Sequence, residues 1–256
     1  MTELVRTALD GGIATITLDS QHNRNALSRQ LLAELHAGID AAEAASARAI
    51  VLRHVGPAFC AGADLKERAA AADNDPETGP NQMVAALQRL MDTDRPTIAA
   101  VNGAVRAGGI GLMASCDLVV VNSSTTFALT EVRIGVAAAI ISVPILRRVP
   151  AGKIAAAMLT GEQFDAAEAR SIGLVTHVTD DVDGTVQSLI DGVRSGAPRA
   201  VRETKALLKR VPTLDRDVAF DEMGRLSDEL FASPEAQIGM QAFKEKRLPN
   251  WSDEGA

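Results

Sequence analysis

Two glycine- and alanine-rich segments carry most of the information in this chain: residues 59–66 read FCAGADLK, and residues 102–111 read NGAVRAGGIG. Each follows a predicted strand and opens a predicted helix. The first turn of a helix leaves backbone N–H groups unpaired and carries a partial positive charge, and glycine and alanine let a ligand approach that backbone closely. Two such ends facing one another supply two N–H donors to one carbonyl oxygen, as stabilisation of an enolate requires. A role in tight turns and helix packing alone is the alternative.

The sequence around these segments predicts a mixed α/β body. Residues 4–9 and 13–19 flank an Asp-Gly-Gly turn and are typical of a β-hairpin. Ser28 is expected to cap a helix with leucine and isoleucine at helical spacing. Residues 56–64 are expected to form a loop. Buried strands are predicted at 48–53, 97–101, 117–121, 125–129 and 174–178.

Helices are predicted between and after these strands. One covers residues 65–72, and Asn81 is expected to cap another that runs to about Met91, with a loop at Asp73–Pro80 between them. Asp165 and Glu168 form a capping-box pattern before a short helix that ends at Gly173.

From Pro198 onward only helices are predicted, at about 198–209, at 213–231 and after Ser233-Pro234. We therefore expect a first domain of residues 1–195 that carries the site, and a helical C-terminal region of residues 196–256.

Composition excludes several classes of function. The net charge of −7 and the 3% aromatic content argue against a surface that binds nucleic acid. The two cysteines have no metal-ligand spacing, so we expect no metal and a reduced, cytoplasmic protein. Residues 1–9 lack the pattern of a signal peptide. The uncharged run at 134–146 is broken by Pro144 and is too short to span a bilayer.

Several motifs together resemble the enoyl-CoA hydratase/isomerase (crotonase) superfamily in order and spacing. They are NRNAL at 23–27, FCAGADLKE at 59–67, PTIAAVNGAVRAGG at 96–109, FALTE at 127–131 and AFKEKR at 242–247. The resemblance implies an α/β spiral of repeated ββα units with a C-terminal helical trimerisation region, assembled as a homotrimer or a dimer of trimers. It also implies an acyl-CoA thioester substrate in fatty acid metabolism, with coenzyme A as part of the substrate and no separate cofactor.

The same resemblance implies the site residues. The oxyanion donors are the backbone N–H groups of Ala63 and Gly108, and Glu131 is the acid/base carboxylate. Neighbouring residues are expected to contact the substrate: Ala61, Asp64, Leu65 and Gly109. Cations expected near the CoA phosphates are Arg24, Lys66, Lys244, Lys246 and Arg247, of which the C-terminal ones would come partly from a neighbouring subunit.

One position departs from the family pattern. Hydratases of this family use two glutamates, and the first of them falls on Gly111, which has no side chain. Hydration of a 2-enoyl-CoA is the expected reaction, with double-bond isomerisation by Glu131 alone as the alternative, because one carboxylate orients water less well than two. Arg106 also departs from the pattern. It is interpreted as a partner of Glu131 or of a substrate carboxylate, or as a solvated or interface residue, and Arg133 carries the same ambiguity. Residues 136–141 predict an apolar, partly filled acyl pocket.

Three other classes of protein are alternative interpretations of the sequence. Residues 109–114 fit the GxGxxA pattern of dinucleotide-binding oxidoreductases, but the helix they open is too short for a parallel crossover. The four histidines lie in no nucleophile motif, which disfavours a serine protease. A non-catalytic acyl-CoA-binding protein remains open because of Gly111.

Overall fold

The computed structural model describes residues 2–71 and 78–251, in which strands and helices alternate. The strands are β1 (Val5–Asp10), β2 (Ile13–Leu18), β3 (Ala49–His54), β4 (Ala58–Cys60), β5 (Thr97–Val101), β6 (Ala104–Arg106), β7 (Leu118–Asn122), β8 (Thr126–Ala128), β9 (Gln163–Asp165) and β10 (His177–Thr179).

The helices are α1 (Arg29–Ala44), α2 (Leu65–Ala71), α3 (Thr78–Asp92), α4 (Gly108–Ala114), α5 (Ala139–Arg148), α6 (Ala151–Thr160), α7 (Ala166–Ser171), α8 (Val182–Ser195), α9 (Pro198–Arg210), α10 (Arg216–Phe231) and α11 (Pro234–Lys244). Short 3-10 helices cover Gln21–Asn23, Glu131–Ile134 and Val211–Thr213.

The strands form two sheets that share a repeated pattern. The larger sheet has the order β1-β2-β3-β5-β7-β10, and the smaller has the order β4-β6-β8-β9. Three successive pairs, β3/β4, β5/β6 and β7/β8, each place the first strand in the larger sheet and the second in the smaller. Neighbouring strands from β2 to β7 in the larger sheet are parallel. The chain therefore has the predicted α/β fold of repeated strand pairs.

The N-terminal elements form as predicted. β1 and β2 are antiparallel, with Val5 opposite Leu18 and Asp10 opposite Ile13. The Ser28 side chain accepts a hydrogen bond from the Leu31 N–H at 3.2 Å, which caps α1. Leucine and isoleucine residues on one side of α1 are buried against the sheet: Leu31, Leu32, Leu35 and Ile39.

Several predicted boundaries are wrong. The segment 56–64, predicted as a loop, contains strand β4, and the glycine-rich segment 102–111 contains strand β6, which was not predicted. Helix α3 begins at Thr78 and not at Asn81, so residues 78–80 of the predicted loop are helical, while residues 73–77 of that loop lie outside the described residues. The strand predicted at 174–178 forms at His177–Thr179. The Asp165 cap of α7 is confirmed by its hydrogen bond from the Glu168 N–H at 2.8 Å.

The chain divides into two compact units. The first comprises residues 1–93 and 97–187, and the second comprises residues 94–96 and 188–256. This division falls inside α8, close to the predicted domain boundary after residue 195.

The second unit is helical, and side-chain hydrogen bonds hold its segments together. Its helix α11 begins at Ser233, whose side chain accepts the Ala236 N–H at 3.2 Å. Lys205 on α9 is buried and donates to the Arg95 carbonyl at 2.7 Å, and the Trp251 indole donates to the Ser195 carbonyl at 2.9 Å. In the described part of the chain, every helix is too short or too polar to cross a membrane.

Candidate active site

The two glycine-rich segments lie in direct contact. A Cβ atom placed on Gly62 would lie 3.6 Å from the Gly108 nitrogen, and one placed on Gly108 would lie 3.7 Å from the Gly62 Cα. Strands β4 and β6, which precede the two segments, are parallel neighbours in the smaller sheet. The sheet therefore brings the two loops together at the same edge.

The two predicted donors are backbone N–H groups of the two loops. Among the residues that the structure describes, neither the Ala63 N–H nor the Gly108 N–H donates a hydrogen bond. Gly108 is the first residue of α4, and its N-cap, Ala107, makes no side-chain capping bond. Free backbone donors on adjacent loops are the arrangement that binds a carbonyl oxygen or an oxyanion.

The backbone of these loops is held in unusual conformations. Gly62 has φ +96°, and Ala107 has φ +46°, which is rare for a residue with a Cβ. The Cys60 thiol accepts the Gly62 N–H at 3.3 Å, and burial raises the pKa of this thiol to about 12. Cys60 therefore remains a neutral thiol that fixes the first loop. A Cβ on Gly109 would lie 2.7 Å from the Cys60 Cβ, so position 109, where the second loop packs against Cys60, has room only for glycine.

Apolar side chains enclose the Gly108 donor. A Cβ on Gly108 would lie 2.9 Å from Leu27 Cδ1 and 3.7 Å from Met83 Cε. The Leu27 N–H donates to the Gly62 carbonyl at 2.7 Å, which joins the segment before α1 to the first loop. The buried Asn25 side chain supports that segment by donating to the carbonyls of Val55 and Ala58. Apolar side chains therefore border the Gly108 end of the site, and a lower local dielectric strengthens electrostatic interactions there.

Glu131 lies at the start of a 3-10 helix, three residues after β8. The Ala107 N–H donates to the Ala128 carbonyl at 3.0 Å, which links the second loop to the strand end that leads to Glu131. The carboxylate is half-buried, and its Oε2 atom is buried without a hydrogen-bond partner among the described residues. Burial raises the pKa of Glu131 above its ordinary value, and a bond from its own backbone N–H opposes part of that shift. A carboxylate with a raised pKa is a stronger base than an ordinary glutamate.

The space next to Gly111, where hydratases of the family have a glutamate, is filled by Ile141. A Cβ on Gly111 would lie 2.6 Å from the Ile141 Cβ and 3.3 Å from the Ile141 Cα. Ile141 lies on α5 and is 4% exposed. Any side chain at position 111 therefore collides with α5.

The two ambiguous arginines have structural partners. Arg106 donates to the Thr126 carbonyl at 2.6 Å, to the Thr126 hydroxyl at 3.0 Å and to the Gln163 side chain at 3.0 Å. It therefore ties β6 to β8 and β9, and its interpretation as the partner of Glu131 is wrong. Arg133 Nε donates to the Thr160 carbonyl at 3.0 Å.

Some of the predicted CoA-binding residues surround the first loop. The Ala61 N–H donates to the Arg24 carbonyl at 3.0 Å, and the Lys66 N–H donates to Asp64 Oδ1 at 3.0 Å. Arg24 and Lys66 thus flank the loop with exposed side chains, as does Leu65. Asp64 caps α2 and also accepts from Asn23, and the bonds that it accepts lower the pKa of Asp64.

The C-terminal cations lie in the second unit. Lys244 ends α11, Lys246 has φ +55°, and Arg247 pairs with Glu245 at 2.5 Å. All of these side chains are exposed. Their predicted role toward the CoA phosphates stays a prediction.

Two residues that shape the site, Cys60 and Met83, were not predicted from the sequence, whereas Ile141 lies in the segment 136–141 that was predicted to fill the acyl pocket in part. Cys60 lies inside the motif at 59–67, so its closeness in sequence to Ala63 could be seen, but its hydrogen bond with the Gly62 N–H could not be predicted. Met83 and Ile141 lie on helices remote in sequence from the residues they touch. Only the tertiary fold reveals those contacts.

Strand pairs shared between two sheets, with two free N–H donors at adjacent loops, define a protein of the crotonase class. The chain belongs to the enoyl-CoA hydratase/isomerase family, whose model matches residues 8–254. This confirms the resemblance seen in the motifs and leaves no support for a dinucleotide-binding oxidoreductase.

Individual relatives cover nearly the whole chain. The mitochondrial enoyl-CoA hydratase domain-containing protein 3 of Danio rerio is 31% identical over 254 residues, which are 98% of this chain and 88% of the relative. An enoyl-CoA hydratase structure from Mycobacterium avium is 41% identical, with a TM-score of 0.74 and coverage of 98% and 100%. That of Mycobacterium smegmatis is 31% identical, with a TM-score of 0.89 and coverage of 98% and 99%.

Proposed function

We propose that this family member binds an acyl-CoA thioester and transfers a proton next to the thioester carbonyl, with Ala63 and Gly108 as oxyanion donors and Glu131 as the base. The observation that carries the proposal is the contact between two loops whose N–H groups are both free. The names of the relatives, an enoyl-CoA hydratase domain-containing protein and an enoyl-CoA hydratase, support the same class of substrate.

The proposed reaction begins with the thioester oxygen between the two N–H donors. When the Glu131 carboxylate removes a proton from C2, the C–H electron pair is delocalised onto that oxygen. Each donor stabilises the enolate by about 3–4 kcal/mol, judged from the loss of a comparable donor in a protease. The protonated Glu131 then returns its proton to carbon.

Two reactions use an enolate held in this way. Isomerisation of a 3-enoyl-CoA forms it by loss of a C2 proton, whereas hydration of a 2-enoyl-CoA forms it by addition of water to C3 and then protonates C2. Hydration of a 2-enoyl-CoA is the reaction that the relatives' names suggest, and it requires a water molecule to be activated and positioned. Double-bond isomerisation of a 3-enoyl-CoA needs only one base, and the filled space at Gly111 favours it as the second candidate. Neither reaction requires a metal or a further cofactor.

Replacement of the proposed base tests the proposal. General acid–base catalysis contributes roughly 10²–10⁴-fold, so Glu131→Gln is expected to lower kcat on 2-butenoyl-CoA and 3-butenoyl-CoA by about that factor. The dissociation constant for butyryl-CoA, measured by titration calorimetry, should change little because the oxyanion donors remain. The exposed Glu162→Gln is the matched control and should retain the parent rate.

Two results would contradict the proposal in different ways. Unchanged turnover in Glu131→Gln would remove Glu131 from the mechanism. Absence of turnover by the parent protein, with butyryl-CoA still bound, would instead favour a non-catalytic acyl-CoA-binding protein.

A further inference from the structure

Helix α4 presents two glycines on one face. Gly108, with the free N–H, and Gly111 are separated by three positions, so they lie one above the other along α4. A side chain at position 111 would therefore extend from the face that carries the oxyanion donor. In this chain the space beside Gly111 is filled from another element.

The filling residue is Ile141 of α5. Its Cβ and Cα atoms lie 2.6 Å and 3.3 Å from the position of a Gly111 Cβ, so the isoleucine side chain packs directly on the glycine. Ile141 is 4% exposed, and Ile145, one turn further along α5, is also buried. The contact is part of a packed helix pair and not of an exposed loop.

This packing has a consequence for water. An ordered buried water needs two to four polar partners. Leu27, Met83 and Ile141 are apolar, and the buried Oε2 of Glu131 has no hydrogen-bond partner among the described residues. The side chains that contact the Gly108 and Gly111 positions therefore offer a water molecule no hydrogen bond, which leaves the proposed base Glu131 as its side-chain partner.

We infer that Ile141 determines the reaction outcome: by filling the space at Gly111 it keeps a reacting water out, so that Glu131 returns its proton to carbon and isomerisation exceeds hydration. This inference rests on the proposed function, because it concerns the fate of the enolate formed at the same site.

The two outcomes differ in their balance of atoms. In isomerisation, Glu131 takes a proton from C2 of a 3-enoyl-CoA, and the dienolate receives that proton at C4 while the double bond moves to C2–C3. Nothing is gained or lost. In hydration, water adds hydroxyl to C3 of a 2-enoyl-CoA and a proton to C2, so a water molecule must enter beside the carboxylate.

The inference is tested by the ratio of the two activities. The rates of isomerisation of 3-butenoyl-CoA and of hydration of 2-butenoyl-CoA are measured by chromatography of the products. Ile141→Ala should lower the ratio of isomerisation to hydration by about tenfold or more, a change that corresponds to about 1.4 kcal/mol. Ile145→Ala is the matched control from the same helix and should keep the parent ratio.

A smaller change covers the case in which Ile141→Ala fails to fold. Ile141→Val removes a single methyl group and should lower the ratio in the same direction by a smaller factor. Equal ratios in the parent, the Ile141 variants and Ile145→Ala would overturn the inference. That result differs from failure of the proposed function, which would appear as no Glu131-dependent consumption of either thioester by the parent.

A paired substitution tests the geometry itself. Gly111→Glu alone should not raise the rate of hydration. Adding Gly111→Glu to Ile141→Ala should not raise hydration above that of Ile141→Ala, because the alanine Cβ still lies 2.6 Å from the Cβ of the new glutamate. Gly111→Glu with Ile141→Gly removes that atom and should raise hydration above the level of either single variant. Hydration by Gly111→Glu alone at the level of this double variant would contradict the account.

Discussion

Glu131 combines partial burial with an unpartnered oxygen, and this combination sets its chemistry. Desolvation destabilises the carboxylate form, so the pKa of Glu131 lies above its ordinary value. A weaker acid is a stronger base, and a base is most effective when its pKa approaches the working pH. Burial therefore destabilises the ionised form of Glu131, and the same destabilisation makes the carboxylate a stronger base for proton abstraction.

The raised pKa predicts the acid limb of the pH profile. Glu131 must be ionised to accept a proton, so kcat/KM should fall as the pH decreases through the pKa of the free enzyme. Because that pKa is raised, the midpoint should lie above the value of about 4.3 for an ordinary glutamate. Rates measured with 3-butenoyl-CoA from about pH 4 to about pH 8 check this, with Glu162→Gln expected to give the same midpoint. A midpoint at or below the ordinary value would contradict the role of Glu131.

For single residues, the sequence motifs predicted the positions of the backbone donors but not the contacts that side chains make. The positions of Ala63 and Gly108 follow from the glycine pattern, and the structure places their loops together. Ile141 lies thirty positions after Gly111, and no spacing rule connects them. The role of Arg106 was equally hidden, since its partners Thr126 and Gln163 come from two other strands.

At the scale of elements, the site depends on two strained loops that support each other. Gly62 and Ala107 both have positive φ, and a Cβ on Gly62 would lie 2.9 Å from the Ala107 Cβ. Backbone in such regions persists only where the surroundings enforce it. Here the enforcing contacts come from Cys60 and from the pairing of β4 with β6.

Gly62→Ala should therefore damage both stability and catalysis. The positive φ and the collision with Ala107 should lower the free energy of unfolding by about 1–3 kcal/mol, and displacement of the donors should lower kcat by about 10²-fold or more. Urea unfolding and turnover of an enoyl-CoA measure the two effects. Gly192→Ala, in α8 where an added Cβ meets nothing within 4 Å, should instead raise stability by about 0.5–1 kcal/mol. Parent-like kinetics in Gly62→Ala would show that the loop geometry is not required.

Length explains some of the elements that were missed. The hairpin and α1 were predicted from their hydrophobic periods, β5 from the apolar run after Pro96, and the C-terminal helices from the end of strand signals and the Ser233-Pro234 start. β4, β6 and β9 have three residues each, too few to show alternation, although β8, of equal length, was predicted within residues 125–129. Helix α5 was missed because Pro144 interrupts it and its residues before Arg147 carry no charge to mark a polar face.

At the scale of the whole molecule, the second unit leaves large apolar side chains exposed. Phe220 is 73% exposed, Phe231 64% and Phe243 85%. Exposed apolar surface of this kind marks an interaction site, and a symmetric homo-oligomer is the commonest way to cover it. The predicted trimer or dimer of trimers is consistent with this surface and stays a prediction.

Light scattering at micromolar concentration tests the assembly. The expected mass is about three or six times the 26.8 kDa of one chain. Phe220→Asp should shift the distribution toward smaller species, whereas Ser195→Asp, a polar site in the same unit, serves as a control for added charge. A parent protein that has the mass of a single chain would refute the predicted assembly.

The central claim is that the two N–H donors and Glu131 generate an enolate from a CoA thioester, whichever product follows. The most direct measurement follows the deuterium of 3-butenoyl-CoA labelled at C2, by mass spectrometry or NMR. We predict enzyme-dependent loss of deuterium from C2, to C4 of the product or to solvent, at a rate that falls by about 10²–10⁴-fold in Glu131→Gln. Loss at equal rates in the parent and in Glu131→Gln, or none above the uncatalysed background despite bound thioester, would contradict this claim.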